Sequence, residues 1–344
     1  MTTEIRWKKK TTLSTSQNFK MSKNDKVRLS ASKIKTLDTC SWLFYSKYFL
    51  KIPDTTNDGA SRGTIVHLIF ELLLNPRHKK KYFDKLKKNP TAILRCKPVH
   101  RLLEKHAKLL NVNDKDNLSL MYQMLYVGLN HNFYCKGSKD LKPEEHFEIE
   151  GENFIINGFI DKKAFYKNKI DIWDYKSSKS KFNKEEINAN YQALMYSLAT
   201  FKKDGVIPNV KFLFLRFPDS PEQAAPKLTE DELEGFEMFL TELAELLSDY
   251  DEDKALENLA KNGKKYRWLC GSDKPGKWIC PARKPFGFYS LVNKETGKAY
   301  RSAFNKEELK ETDTHEIIER SYQGCPAWPT GEKRTSGAFD FTDF

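Results

Sequence analysis

Residues 153–176 read NFIINGFIDKKAFYKNKIDIWDYK, and this stretch decides the fold. Two runs rich in Ile, Phe and Trp, 153–166 and 169–175, lie on either side of a Lys-Asn turn. Aromatic and β-branched runs bounded by turn residues read as paired strands. Each run carries a carboxylate, Asp161 in the first and Asp174 in the second, 13 residues apart. A hairpin of that length lays the two side by side, where they can share a hard divalent cation that prefers oxygen ligands. Lys176 follows Asp174 by two residues, so strand alternation puts both side chains on one face. A lysine there can position or deprotonate a water and stabilise developing phosphate charge. Ile170, Ile172 and Trp173 lead into these charges, as in a buried strand that carries a site at its end.

Working outward, residues 146–150 read as a preceding strand, set off by Gly151-Glu152. On it Glu148 or Glu150 can approach the same cation. Residues 61–74 (SRGTIVHLIFELLL) read as a helix with His67 and Glu71 four apart on one face. Further helices are predicted over 117–135 and 185–203, and an apolar strand over 209–217 ended by Pro218. Between 227 and 260 there are twelve acidic residues against Lys227 and Lys254. Leu233, Phe236, Leu240, Leu243 and Leu247 recur there at helical spacing, which predicts an amphipathic helix with an acidic outer face. Residues 288–304 read as a hairpin.

Strand runs interleaved with helices read as an α/β chain with a small C-terminal module. The expected organisation is a flexible basic arm over 1–28 and a core over 29–260 with a helical insertion at about 76–140. An aromatic, basic module over 261–330 and a disordered acidic-aromatic tail over 331–344 would follow.

The chain is basic: 59 Lys or Arg against 47 Asp or Glu give a net charge of +12 over 344 residues. Such a balance points to a polyanionic partner, nucleic acid first. Residues 77–108 alone carry twelve Lys or Arg. Lys162, Lys163, Lys179, Lys181 and Lys184 flank the carboxylates and are expected to meet phosphates. No apolar run is long enough to span a bilayer, and the N-terminus has no apolar signal core. Six cysteines are too sparse for a secreted disulfide scaffold, so a cytoplasmic setting is expected.

Four pieces together resemble the PD-(D/E)XK nuclease superfamily, in its RecB-like and phage exonuclease branch. They are the opening LSASKIKTLDTCSWLFYSKYFL, Gly63-Thr-Ile-Val-His67, the GFID and DYKSS pair, and Gln192-Ala-Leu-Met-Tyr196. Cys40-Ser41 stands where Cys-Pro is usual, and Ile160 where a Pro often precedes the first Asp. The resemblance implies a restriction-endonuclease-like core, with a mixed central sheet flanked by helices, and a Mg²⁺- or Mn²⁺-dependent DNA exonuclease of phage-type replication, recombination or repair. It implies that His67, Asp161, Asp174 and the Tyr175 carbonyl hold the metal and that Lys176 handles the attacking water. Gln192 and Tyr196 would orient Lys176 or contact the DNA backbone, and Glu71 would stand behind the ligands. An endonuclease of the same fold, or a non-catalytic DNA-binding adaptor, are the alternatives. No G-x-x-x-x-G-K-[ST] motor motif is present.

Some relatives bind a [4Fe–4S] cluster through one early and three late cysteines. Cys40, Cys270, Cys280 and Cys325 resemble that set in order but not in spacing, so free thiols are expected, with a cluster or zinc as the alternative. The tail ends Phe339-Asp340-Phe341-Thr342-Asp343-Phe344, similar to the Phe-terminated tips by which single-stranded-DNA-binding proteins dock. A replication or recombination protein is the expected tail partner.

Overall fold

The run Ile170–Tyr175 is buried throughout because strands pair on both its edges and helices cover both its faces. The computed structural model describes residues 26–328, apart from 56, 275 and 276. The arm up to residue 25 and the tail from 331, with its expected docking role, lie outside the described residues.

In chain order the first elements are β1 (Val27–Leu29), α1 (Ala31–Thr39), α2 (Ser41–Tyr48) and α3 (Asp58–Leu74). Next come α4 (Pro76–Lys88), α5 (Lys97–Leu109) and α6 (Lys115–Asn130). The centre holds β2 (Asp140–Glu150), β3 (Phe154–Phe165), β4 (Ile170–Lys176), α7 (Lys184–Asn188) and α8 (Tyr191–Asp204). β5 (Asn209–Phe214), β6 (Glu222–Ala224), α9 (Glu230–Ser248) and α10 (Glu252–Ala255) follow. The last strands are β7 (Phe286–Asn293), β8 (Ala299–Ala303) and β9 (His315–Tyr322).

Among the described residues the chain forms two units, 26–31 with 57–245, and 32–55 with 246–328. The first holds a mixed sheet in the order β1-β3-β4-β5-β6, with β2 also on β3. β2 and β4 run antiparallel to β3, whereas β1 pairs with it in parallel, as does β5 with β4. The core of this unit joins Ile65, Val66, Ile69 and Phe70 of α3 to Met121, Met124 and Leu125 of α6, with Tyr175 and Leu213 from the sheet. Strand alternation turns Asp174 and Lys176 to the other face, toward α8. Asn57 caps α3 and Asn190 caps α8, each accepting backbone N–H groups of the first turn.

The second unit carries an antiparallel sheet in the order β8-β7-β9. The Trp42 indole N–H donates to the Tyr322 hydroxyl at 2.7 Å, and that hydroxyl donates to the Ala282 carbonyl at 2.8 Å. This chain of bonds ties α2 to β9 and to the segment before β7.

The expected α/β architecture is present, with differences at element ends. Val27 and Arg28, assigned to the arm, form β1 with Leu29 beside β3. β2 begins six residues earlier than expected, and the helix expected over 227–260 breaks after Ser248, where Asp251 caps a new short helix. β9 completes a sheet where only a hairpin was expected. Among the described residues no helix is long and apolar enough to cross a membrane.

Candidate active site

The site sits where β4 leaves β3. Their ladder runs from Phe165 opposite Ile170 to Lys162 opposite Trp173. One step further, Asp161 and Asp174 face each other as the strands part. There the Tyr175 N–H donates to Asp161 Oδ2 at 2.7 Å. Asp161 therefore caps the parting strand as well as standing at the site.

On the other edge of β3, Pro143 opposes Lys162 and Glu145 opposes Ile160. Glu144 between them faces Asp161. Its φ of 45° interrupts the ladder, a conformation rare for a residue with a Cβ. Ligand atoms of His67, Glu144 and Asp161 all lie within 4.8 Å of one another. His67 reaches in from α3: Nδ1 is 3.2 Å from Asp161 Oδ1 and Nε2 is 3.0 Å from the Tyr175 carbonyl. The second turn of α3 closes onto the chain just after Lys176, and Gly63 permits it. A Cβ at Gly63 would lie 2.8 Å from Ser177 Oγ.

Asp174 makes a second, adjoining group. Its Oδ1 accepts from Gln192 Nε2 at 2.6 Å and Tyr196 OH at 2.8 Å, and its Oδ2 lies 2.6 Å from Lys176 Nζ. Lys176 also donates to Gln192 Oε1 at 2.6 Å. The Gln192 amide thus fixes both members of the Asp174–Lys176 pair from one side chain. Tyr196 sits one turn on, with Gln192 Nε2 2.6 Å from its hydroxyl. The sequence-expected residues Asp161, Asp174, Lys176, Gln192, Tyr196, His67 and Tyr175 are all brought together. Asp174, however, faces Lys176 and α8, and Glu144 completes the tight group of potential ligands.

The electrostatics follow from burial and crowding. Burial raises the Asp174 pKa, Lys176 pulls it back, and Asp161 pushes it up. Burial, then Asp161, lift Glu144 to about 7. Burial pulls His67 down, but Asp161, Asp174 and Glu144 outweigh it and set the imidazolium at about 9. With no cation, a protonated His67 stands between the Asp161 carboxylate and the Tyr175 carbonyl. Two carboxylates and an imidazole suit a hard divalent cation, which must displace these protons. Cation binding should strengthen by up to about tenfold per pH unit for each displaced proton between about pH 6 and 9. Calorimetry in buffers of different ionisation enthalpy would count the protons released. A constant affinity with no proton release would remove Glu144 and His67 as ligands.

The sequence profile of the PD-(D/E)XK nuclease superfamily matches residues 28–280. The chain belongs to this superfamily. Membership implies a nucleic-acid substrate. A solved structure of a proposed exonuclease from Eubacterium rectale is 12% identical, with a TM-score of 0.42, over 72% of this chain and 90% of that one. Protein VC1899 of Vibrio cholerae is 9% identical, with a TM-score of 0.22, over 59% of this chain and 58% of that one. No curated protein is similar to the chain at a significant level.

Two expectations about neighbouring charges are corrected. Glu148 and Glu150 point elsewhere, paired with Arg28 and Lys26. Lys162 and Lys163 do not face a ligand; both are buried. Lys162 Nζ lies 4.5 Å from the Trp173 ring centre, and burial lowers its pKa to about 8. Lys163 pairs with Asp204 at 2.5 Å and Glu145 at 3.1 Å, so its charge is satisfied inside the nuclease unit. Glu71, one turn past His67 on α3, adds to the rise of the Glu144 pKa.

In the second unit, Cys40, Cys270, Cys280 and Cys325 line one cavity with apolar neighbours such as Trp42, Leu43 and Leu259. None forms a disulfide. Burial raises the Cys280 thiol to about 12, and the other three cysteines add to the rise. A thiolate-binding centre such as zinc or an iron–sulfur cluster would offset that penalty.

Proposed function

We propose that this nuclease-superfamily chain is a divalent-metal-dependent deoxyribonuclease that degrades DNA from its ends. The observation that carries the reading is the double group at the β3–β4 parting: His67, Glu144 and Asp161 beside Asp174, Lys176, Gln192 and Tyr196. His67, Glu144, Asp161, the Tyr175 carbonyl and, by rotation of its carboxylate, Asp174 are the residues that would hold Mg²⁺ or Mn²⁺. When bound, such an ion lowers the pKa of water and offsets charge on the phosphate. Lys176 does the rest of the charge work, since its amine sits beside Asp174 with Gln192 fixing its direction. It can orient the attacking water and neutralise the developing negative charge. Gln192 and Tyr196 act by positioning, through hydrogen bonds to Asp174.

The resemblance to phage exonucleases supports action at ends and a role in DNA replication, recombination or repair. End-labelled linear and covalently closed circular DNA, single- and double-stranded, should be incubated with Mg²⁺ and with chelator. Linear DNA should be lost only with Mg²⁺. Cleavage of closed circles would make the enzyme an endonuclease, and no cleavage of any substrate would leave a DNA-binding adaptor.

We propose further that the four cysteines hold a thiolate-bound metal. What supports it is their convergence across a long sequence gap. The 44 residues between Cys280 and Cys325 fold into the β7–β9 sheet and return the chain to its start. There the Cys325 N–H donates to the Arg283 carbonyl at 3.2 Å, three residues past Cys280. Protein purified without oxygen should contain zinc, or iron with sulfide and a broad visible absorbance. Cys40→Ser should lower that content. Metal-free, colourless protein would leave four free thiols.

A further inference from the structure

Residues 261–284 hold eight Lys or Arg against one acid, Asp273, which pairs with Arg283 and Lys284. Residues 270–272 pair with 278–280. Gly271 bridges to Ile279, the Ser272 N–H donates to the Trp278 carbonyl at 2.9 Å, and the Cys280 N–H donates to the Cys270 carbonyl at 3.3 Å. Only glycine fits at 271: its φ is 72°, and a Cβ there would lie 2.0 Å from the Trp278 carbonyl oxygen.

This segment holds two tryptophans in water. Trp268 is 69% exposed and Trp278 49% exposed. The Trp278 indole N–H donates to the Leu269 carbonyl at 3.0 Å, which sets that ring beside the residue next to Trp268. Lys264, Arg267, Lys274 and Lys277 are exposed around them. Trp328 in the same unit shows the contrast. Lys261 lies 4.4 Å and Arg283 3.8 Å from its ring centre, so those cations are used internally. Tryptophan is the side chain with most apolar area to gain by burial, and two exposed on one short segment mark a contact surface.

We propose that Trp268 and Trp278, with Lys264, Arg267, Lys274 and Lys277, form a stacking surface for single-stranded nucleic acid. Bases offer their faces to an indole only when unpaired, and each such stack is worth about 1–3 kcal/mol regardless of sequence. The surrounding cations meet the phosphates, with affinity that falls with salt. A duplex hides its base faces and meets only the cations. The surface deepens the nuclease reading by naming the form of strand that the protein holds.

The test is fluorescence anisotropy of labelled oligo(dT) and of a labelled duplex, with intact protein and no added Mg²⁺ so that no cleavage intervenes. Trp268→Ala should weaken oligo(dT) binding by about five- to 150-fold and leave duplex binding unchanged. Trp268→Phe keeps a ring and should keep most of the oligo(dT) affinity. Equal oligo(dT) affinity in wild type and Trp268→Ala would overturn the surface, as would equal losses on oligo(dT) and duplex. Cleavage of linear DNA with Mg²⁺, measured on the same wild-type protein, separates the two readings. Trp268-dependent binding without cleavage removes the nuclease reading and leaves the surface. Cleavage with Trp268-independent binding does the reverse.

Discussion

Lys176→Ala should reduce cleavage by about 10²–10⁴-fold while DNA affinity in EDTA stays close to wild type. The loss is expected in the chemical step because His67, Glu144 and Asp161 remain as they are. Lys176 also has a structural role that the same variant exposes. Its amine lies 2.6 Å from Asp174 Oδ2, and Asp174 is almost wholly buried. Removing one partner of a buried pair usually costs about 3–5 kcal/mol. Here the cost is limited because Asp174 can take up a proton. Burial already raises its pKa above the ordinary carboxylate value, and Lys176 is the first group opposing that rise. A carboxylate whose folded pKa is raised stabilises the fold most at low pH and loses that contribution as pH rises. Without Lys176 the Asp174 pKa rises further. The variant should therefore melt near wild type at about pH 5 and distinctly below it at about pH 8. Wild-type cleavage by Lys176→Ala would sink the assignment of the water-handling role. A melting difference independent of pH would sink the account of Asp174.

How much of this the chain announces depends on distance along the sequence. Asp161, Asp174 and Lys176 lie on one hairpin, so a two-residue period and a short turn are enough to place them together. Gln192 and Tyr196 are four apart on α8, and helix geometry puts both on the face that meets Asp174. Glu144 was hidden by Pro143, which argues against a strand by lacking an N–H, and by its own positive φ. Yet the signal exists. Counting the β2–β3 register back from the Gly151-Glu152 turn puts Glu144 opposite Asp161.

Lys162 and Lys163 misled for a different reason. A lysine reads as surface unless its partner is known, and Asp204 lies 41 residues beyond Lys163. The aromatic cage around Lys162 comes from β4 and from the chain after α6, none of it local. The cysteines show the same limit. Nothing local reveals that a three-stranded sheet fills the gap between Cys280 and Cys325 and returns the chain to the cavity that Cys40 and Cys270 also line. Long-range pairing was legible only where strand or helix periodicity carried it.

Asp161→Asn should be the most damaging single change, because one carboxylate serves three neighbours. Cleavage should fall by at least about 10³-fold, as one anionic ligand is lost where charge is being offset. The backbone consequence should be mild, since the Asn carbonyl oxygen can still accept the Tyr175 N–H. The informative readout lies in the protein without metal. Asp161 is the first charge holding His67 at about 9 against burial, so the neutral amide should let the His67 pKa fall toward its ordinary 6.5 or below. Asp161 is also the leading charge that lifts Glu144 to about 7, so Glu144 should move down toward its ordinary value of 4.5. The two groups thus shift in the same direction for opposite reasons: His67 loses an attractive neighbour and Glu144 a repulsive one. Imidazole proton resonances followed through a pH titration, with His67→Gln as the assignment control, report the first shift without any need for activity. A His67 that titrates identically in wild type and Asp161→Asn would break the link between these residues. The candidate metal group would then lose its central member.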